Sequence, residues 1–490
     1  MTVHPKFPGV KLPEHNDFYY GGAWHAPKSG RYVETSSPAN GEILAKVGEG
    51  TAADAEGAIA AAKSAFKGWK RTPPLERAKA LRRIAQIIRD NAEELALLDA
   101  ADGGNPAKEM LGDATVAAAF HDFFAGLVTE MKGDSIPMGP GSVNFSVREP
   151  LGVVARILPF NHPFMFCAGK IAAPLAAGNT VVIKPPEQAP LTGIRLAELL
   201  DGVLPPGVFN VVLGGKEVGQ TLASHPDVAK IALIGSVPTG RAVMRAAAET
   251  LKPVLLELGG KNALIAFGDA NPDEVAAAVV AGMNFTWCGQ SCGSTSRAFV
   301  HASIYDAVLS RVKGRAEMFK PGLPTDFSTT MGAIVSKVQY DKVMGFIQTT
   351  LKEGGRLICG GKKPDAPELA NGFFIEPTIF ADMKPGMTIA TQEIFGPVLA
   401  VFKWEDEETM LAEVNRVEYG LTCSIWTNNL QKAHRTAAEV EAGYVWINET
   451  SRHLLGAPFG GYKQSGIGRE ESLEELLEFT QEKHIHIKLG

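Results

Sequence analysis

A chain of 490 residues with a formal net charge of −6 and 21% charged residues has the length and apolar content for two or three domains with real cores. The acidity is mild and spread out, and no basic run is long enough to track a phosphate backbone, which excludes nucleic acid as a partner. The opening MTVHPKFPGVKLPEHNDF has neither the basic nor the apolar region of a secretory signal, and apolar stretches such as PDEVAAAVVAGMNF stop short of the roughly 20 residues a bilayer demands. The expectation is a cytoplasmic protein with no membrane partner.

From about Thr51 to Gly126 apolar residues recur three and four apart, as in AEGAIAAAKSAFKGW and ERAKALRRIAQIIRDNAEELALL, which predicts amphipathic helices. NFSVREPLG then alternates like a strand, and its polar face marks an edge or an arm. Next, GVVARILPF, TVVIKPP, GVFNVVLGG, KIALIGS and KPVLLELGG alternate with helical stretches such as APLTGIRLAELLDG. Continuously apolar strands separated by helices predict an α/β domain with a parallel sheet covered on both faces, which takes nucleotides at the carboxyl ends of its strands. A second α/β region begins at NALIAFGDA, where Asn271 can cap a helix opening with Pro272, Asp273 and Glu274. Its strands read RAFVHA, RLICGG, GFFIEPTIF, VLAVFKW, LTCSIWT and GYVWIN. The final EKHIHIKLG alternates again and is predicted to pair with the earlier arm of this or a neighbouring subunit. No tandem repeat is visible.

The five cysteines are too few and too scattered for a disulfide framework, so they are read as reduced. Cys288 and Cys292 lie four apart, but no nearby His or Cys completes a zinc set, and no metal is expected. Cys167, Cys359 and Cys423 sit in apolar runs and read as core; Cys292, among the small turn-forming residues of GQSCGSTSR, can face a ligand. A thiol nucleophile needs an oxyanion donor and a base. Asn161, in the proline-bracketed PFNHP turn, offers an amide, or it satisfies only its own turn. Glu257, in an apolar stretch ending at two glycines, is either a desolvated base or the partner of a lysine. In GSVPTG, Gly235 and Gly240 make a strand-to-helix turn that can meet an anion or be purely structural. In KPPE, Lys184 and Glu187 can hold ribose oxygens, or be a solvated lysine and a helix-start glutamate.

Taken in order, PFNHP (159–163), AAGNTVVIKPPEQAP (176–190), IGSVPTG (234–240), LELGGKN (256–262), GQSCGSTSR (289–297), EIFGPV (393–398) and PFGGYKQSGIGRE (458–470) make the chain resemble the aldehyde dehydrogenase superfamily from its first helices almost to its C-terminus. The resemblance implies a Rossmann-type dinucleotide-binding domain (1–126 and 150–258), an α/β catalytic domain (259–458) and a small β oligomerisation arm (127–149 and 471–490), assembled as a homodimer or homotetramer. It implies NAD-dependent oxidation of an aldehyde to the acid through a Cys292 thiohemiacetal and thioester, with Glu257 activating water and Asn161 and the Cys292 amide forming the oxyanion hole. Lys170 and Glu470 match positions that relay protons with the base. Lys184 and Glu187 would hold the adenosine ribose, Ser236 the pyrophosphate and Glu393 the nicotinamide ribose, with Phe395 beside the ring and Pro159, Phe160 and Leu258 in the cofactor wall. Glu187 favours NAD over NADP, since it would repel a ribose 2′-phosphate.

There are departures from the family pattern: Phe160 for the usual tryptophan, Ser236-Val237-Pro238 for Ser-Thr-Glu, and Trp287-Cys288 for a more polar pair. Two rival readings are a CoA-acylating semialdehyde dehydrogenase, against which Glu257 argues, and a catalytically dead binding protein, against which the intact residue set argues. For the substrate tail, the loop NETSRHLLGAP offers Glu449, Arg452 and His453, with Arg452 able to clamp a carboxylate or sulfonate. Phe160, Trp287 and Phe459 instead suit an aromatic or cationic tail. These two expectations conflict.

Overall fold

The apolar runs Val153–Ile157, Thr180–Lys184, Phe209–Val211, Val228–Ile234 and Val254–Glu257 form the parallel centre of an eight-stranded sheet in the computed structural model, which describes residues 2–490. Met1, the first residue of the domain range expected above, lies outside the described residues. Almost every side chain of these strands is buried, and each large apolar one contributes roughly 1.5–3 kcal/mol by leaving water. Two antiparallel strands, Phe18–Tyr20 and Ala23–His25, close one edge, and Gly466–Ile467 pairs antiparallel with Val254–Glu257 at the other.

From Val153–Ile157 the chain adds Thr180–Lys184 and Phe209–Val211 on one side, then returns to place Val228–Ile234 on the other. That reversal opens a crevice beyond the carboxyl ends of Val153–Ile157 and Val228–Ile234, where helices diverge to opposite faces. Pro159, Phe160 and Asn161 follow the first of these strands, and Gly235 and Ser236 follow the second.

The second sheet has seven strands, in the order Arg356–Cys359, Thr378–Ala381, Val398–Trp404, Arg297–His301, Ala263–Ala266, Thr422–Trp426 and Tyr444–Ile447, all parallel except the first. Asn271 caps the helix Pro272–Gly282, its side chain accepting from the Asp273 amide at 3.0 Å. The strand expected across GFFIEPTIF begins only at Thr378, just past Pro377, which lacks the amide a ladder needs. Cys359 is half-buried rather than core, because its strand is the edge of the sheet; Cys167 and Cys423 are buried as expected.

Ser142–Pro150 and Thr480–Lys488 pair antiparallel along their whole length within this one chain. Among the described residues no helix is long and apolar enough to cross a membrane.

Candidate active site

Cys292 sits in a turn that three neighbouring segments shape. The preceding residues wind through a short 3-10 helix, Phe285–Trp287, and then through left-handed backbone at Cys288 and Gly289. At Gly289 a side chain would strike the Gly396 carbonyl 2.2 Å away, so only glycine serves there. Asn262 then pins the loop: its amide nitrogen donates to the carbonyls of Cys292 (2.6 Å) and Ser294 (3.1 Å), while its oxygen accepts from the Thr422 amide (3.0 Å). The pair of glycines before it has a physical cause. A Cβ at Gly260 would lie 2.5 Å from the Cys292 carbonyl, and one at Gly259 would lie 2.3 Å from the Glu393 carboxylate. The Gly260 amide donates to that same carboxylate at 2.8 Å.

Glu257 ends its strand 4% exposed and lines the same cavities as Cys292, while its Oε1 is buried without a partner among the described residues. Burial, and the negative charge of Glu470, hold its carboxyl well above the usual range. Burial, with the carboxylates of Glu257 and Glu393, pushes the Cys292 thiol up as well. Two such neighbours cannot both carry negative charge cheaply, so the ionisation of one opposes the ionisation of the other.

Behind Glu257 lies a closed network of charges. Lys170 donates to Glu470 at 2.8 Å and faces Glu471 at 3.9 Å; the fully buried Arg156 bridges Glu470 and Glu475, each at 2.8 Å. Burial would lower the Lys170 ammonium, but Glu470, Glu475 and Glu471 together raise it. The same two cations hold Glu470 below the ordinary carboxylate range against its burial. Glu475, pushed up by burial and by Glu470, is the member left closest to neutral. Arg156, Glu471 and Glu475 were not legible as site residues, because their pairing spans more than three hundred positions.

Two cavities meet at this point, sharing Ile234, Glu257 and Cys292. The smaller, about 150 Å³, is walled by Pro159, Phe160, Asn161, Leu258, Glu393 and Phe395, with Gly235 and Ser236 at its rim. These residues, expected to serve the oxyanion and the cofactor, converge on one cavity. Two additions are Gln339, whose amide donates to the carbonyls of Ile394 (3.1 Å) and Phe395 (2.7 Å), and Lys342, its ammonium lowered by burial. Burial likewise raises the Glu393 carboxyl.

Lys184 and Glu187 lie apart from that cavity, at the start of the helix Lys216–Ser224. Glu187 rests against Gly215, where a Cβ would be 2.2 Å from its Oε1, and the Lys184 chain passes Gly219. A cation, two carboxylates and the exposed Ser236 hydroxyl are the chemical groups that suit the hydroxyls and phosphates of a dinucleotide.

Several expectations are corrected. The Gly235 amide donates to the Glu257 carbonyl (2.9 Å) and the Gly240 amide to the Ser236 carbonyl (2.9 Å), so both are spent on sheet and helix and neither meets an anion. Gly240 is small because a side chain would strike Leu258 at 2.6 Å. Phe160 stands edge-on to Phe395 at 5.8 Å, in the smaller cavity rather than in a substrate wall.

The larger cavity, about 430 Å³, takes in Trp287, His453 and Phe459 as expected. It leaves out Arg452 and Glu449, which face outward and lie 3.9 Å from each other, both well exposed. Arg452 is therefore not placed to clamp an acidic substrate tail in this cavity. Sequence reading overlooked one face of the helix Ala107–Leu127, which lines this cavity with Glu109, Asp113, Val116 and Phe120, and overlooked His162, whose Nδ1 pairs with Asp113 Oδ2 at 2.8 Å. The signal was present in PFNHP, since a histidine beside Asn161 had to point somewhere.

The model of the aldehyde dehydrogenase family matches residues 24–485. Among curated proteins, the aldehyde dehydrogenase tropH of Talaromyces stipitatus is 48% identical over 500 residues, covering 99% of this chain and 96% of that protein. Among solved structures, a mutant of the P. syringae indole-3-acetaldehyde dehydrogenase AldA in complex with NAD+ and IAA superposes with a TM-score of 0.95 at 38% identity, covering 98% of this chain and 97% of that one. The NAD+ complex of a Bacillus cereus aldehyde dehydrogenase gives 0.95 at 36% identity, covering 100% and 99%.

Proposed function

The chain belongs to the aldehyde dehydrogenase family and oxidises aldehydes with NAD, and on that premise we propose that Cys292 is the nucleophile and Glu257 the general base of a hydrolytic, thioester-forming reaction. The observation that carries this reading is the placement of Cys292 and Glu257 together on the wall of both cavities, at the point where the two meet. A nucleophile there reaches an aldehyde from one side and a cofactor ring from the other.

Glu257 takes the thiol proton as the Cys292 sulfur bonds to the carbonyl carbon, and the Asn161 amide and the Cys292 backbone N–H donate to the oxyanion of the thiohemiacetal. When bound, NAD would supply the hydride acceptor; Lys184 and Glu187 would hold one of its riboses and Glu393 the other, with Phe395 in the same cavity wall as Glu393. Glu257 then removes a proton from water as that water attacks the thioester, and Cys292 leaves as the carboxylic acid forms. Lys170 and Glu470 carry the proton away from Glu257. Since water needs this base and CoA does not, Glu257 argues for hydrolysis over transfer to CoA.

One assay tests cofactor and acceptor together. NADH formation with a panel of aldehydes should proceed without stimulation by CoA, and catalytic efficiency with NAD should exceed that with NADP by about tenfold or more, because Glu187 repels a 2′-phosphate. CoA-dependent turnover, or parity between cofactors, refutes the corresponding half.

We propose the domain division 1–126 with 150–258, then 259–458, with 127–149 and 471–490 as the arm; the two separate sheets and the paired arm strands support it. Val143, Ile487 and Leu489 leave apolar surface exposed on that arm, which supports its use in a dimer or tetramer. Light scattering should give a mass above that of one chain, and a monomer sinks the assignment.

A further inference from the structure

Charge is distributed unevenly over the wall of the larger cavity. Five carboxylates line it, those of Glu109, Asp113, Glu257, Glu470 and Glu471, against one permanent cation, Lys170, which already serves Glu470. Three of the five belong to the catalytic end. Glu109 and Asp113 do not: they lie one turn apart near the start of the helix Ala107–Leu127, about 16 Å and about 10 Å along its axis from Phe120, whose ring lies under the Lys170 ammonium.

Helical spacing of four places two like charges side by side, which costs stability unless something positive lies between them. The positive groups that act on Glu109 are Lys108, its neighbour in the chain, and His162, which already serves Asp113. Glu109 has no ion-pair partner among the described residues, and its carboxyl is raised by burial and then by Asp113. Asp113 is 5% exposed; its Oδ2 is bonded to His162, and its Oδ1 carries no hydrogen bond among the described residues. A role confined to orienting His162 would account for Asp113 and leave Glu109 unexplained. Aromatic rings complete the setting: His162 lies 5.5 Å from Trp287 and 5.5 Å edge-on to Phe166, all three on the cavity wall. Ring faces and carboxylates attract a cation together, because both present negative charge to it.

We infer that this enzyme is selective for aldehydes carrying a positive charge at the end remote from the carbonyl, with Glu109 and Asp113 as the residues that read the charge. The inference rests on the aldehyde-oxidising reading of Cys292 and adds the substrate class to it. Arg452, the group that would have favoured an anionic tail, lies outside the cavity, and the carboxylates on its wall repel one.

The test is steady-state NADH formation by the intact enzyme with ω-trimethylammonio aldehydes of three to about six carbons, alkanals of matched length, and succinic semialdehyde as the anion. Catalytic efficiency for the best cation should exceed that for its matched alkanal by about tenfold or more, with the anion last. In Glu109→Gln, which has no ion pair to lose, and in Asp113→Asn, that ratio should collapse towards one through a raised KM for the cation. Cations no better than matched alkanals at every length, or a ratio unmoved in both variants, overturn the substrate class while leaving the reaction intact. Failure of the alkanals and cations alike overturns the underlying reaction as well.

Discussion

Replacing Cys292 with alanine should abolish aldehyde oxidation, with turnover falling roughly 10⁴-fold or more, since the thiol forms the bond on which every later step depends. NAD binding, followed by fluorescence quenching or calorimetry, should persist, because no contact of Lys184, Glu187 or Glu393 runs through the Cys292 side chain. The loop should also survive, as Asn262 holds it by the Cys292 carbonyl rather than by the sulfur. Residual turnover near that of the wild type would remove Cys292 from the mechanism.

Glu257→Gln should separate the two halves of the reaction. Glutamine keeps a polar group of the same shape but cannot take a proton from water, so steady-state turnover should fall by about 10²–10⁴. A single-turnover experiment should still show NADH, because acylation can proceed from the fraction of thiol ionised without help, leaving the thioester trapped. The pH profile supplies an independent check. The base works only when ionised, and burial raises its pKa; the acidic limb of kcat should therefore lie above the usual carboxylate range, with activity lost as pH falls through it. In Glu257→Gln that limb should vanish. An unchanged limb would assign it to another group.

The motif residues were legible because each lies within a few positions of a strand end, where topology leaves little freedom. Pro159 to Asn161 follow one strand and Glu257 ends another, with only Val228–Ile234 between them in the same sheet, so reading the strands came close to reading the crevice. What escaped was whatever depends on which way a side chain turns. Arg452 had the right chemistry in the right loop and faces away from the cavity. Gly235 and Gly240 had the spacing of an anion site, yet their amides were already committed to the sheet and the helix. Glu109 and Asp113 escaped for the opposite reason: on an Ala-rich helix the apolar pattern marks the packed face, and nothing local tells that another face borders a cavity. Arg156 looked like one more residue of a buried strand, and only its two distant carboxylates reveal it.

Those carboxylates are the ends of a short tether. Glu470 and Glu475 bracket the start of the helix Leu473–Glu478, and the strand Thr480–Lys488 follows after a single residue. The tail that leaves the body of the protein to form the arm is thus bolted to Arg156 immediately before it departs, and one group of that bolt, Glu470, lines the same cavity as Glu257. Pulling on the arm is pulling on Glu470. If the arm joins subunits and Glu470 relays protons as proposed, assembly and proton handling share one mechanical anchor, and a break in the tail should be felt first as slow release of the acid and only later as loss of the fold.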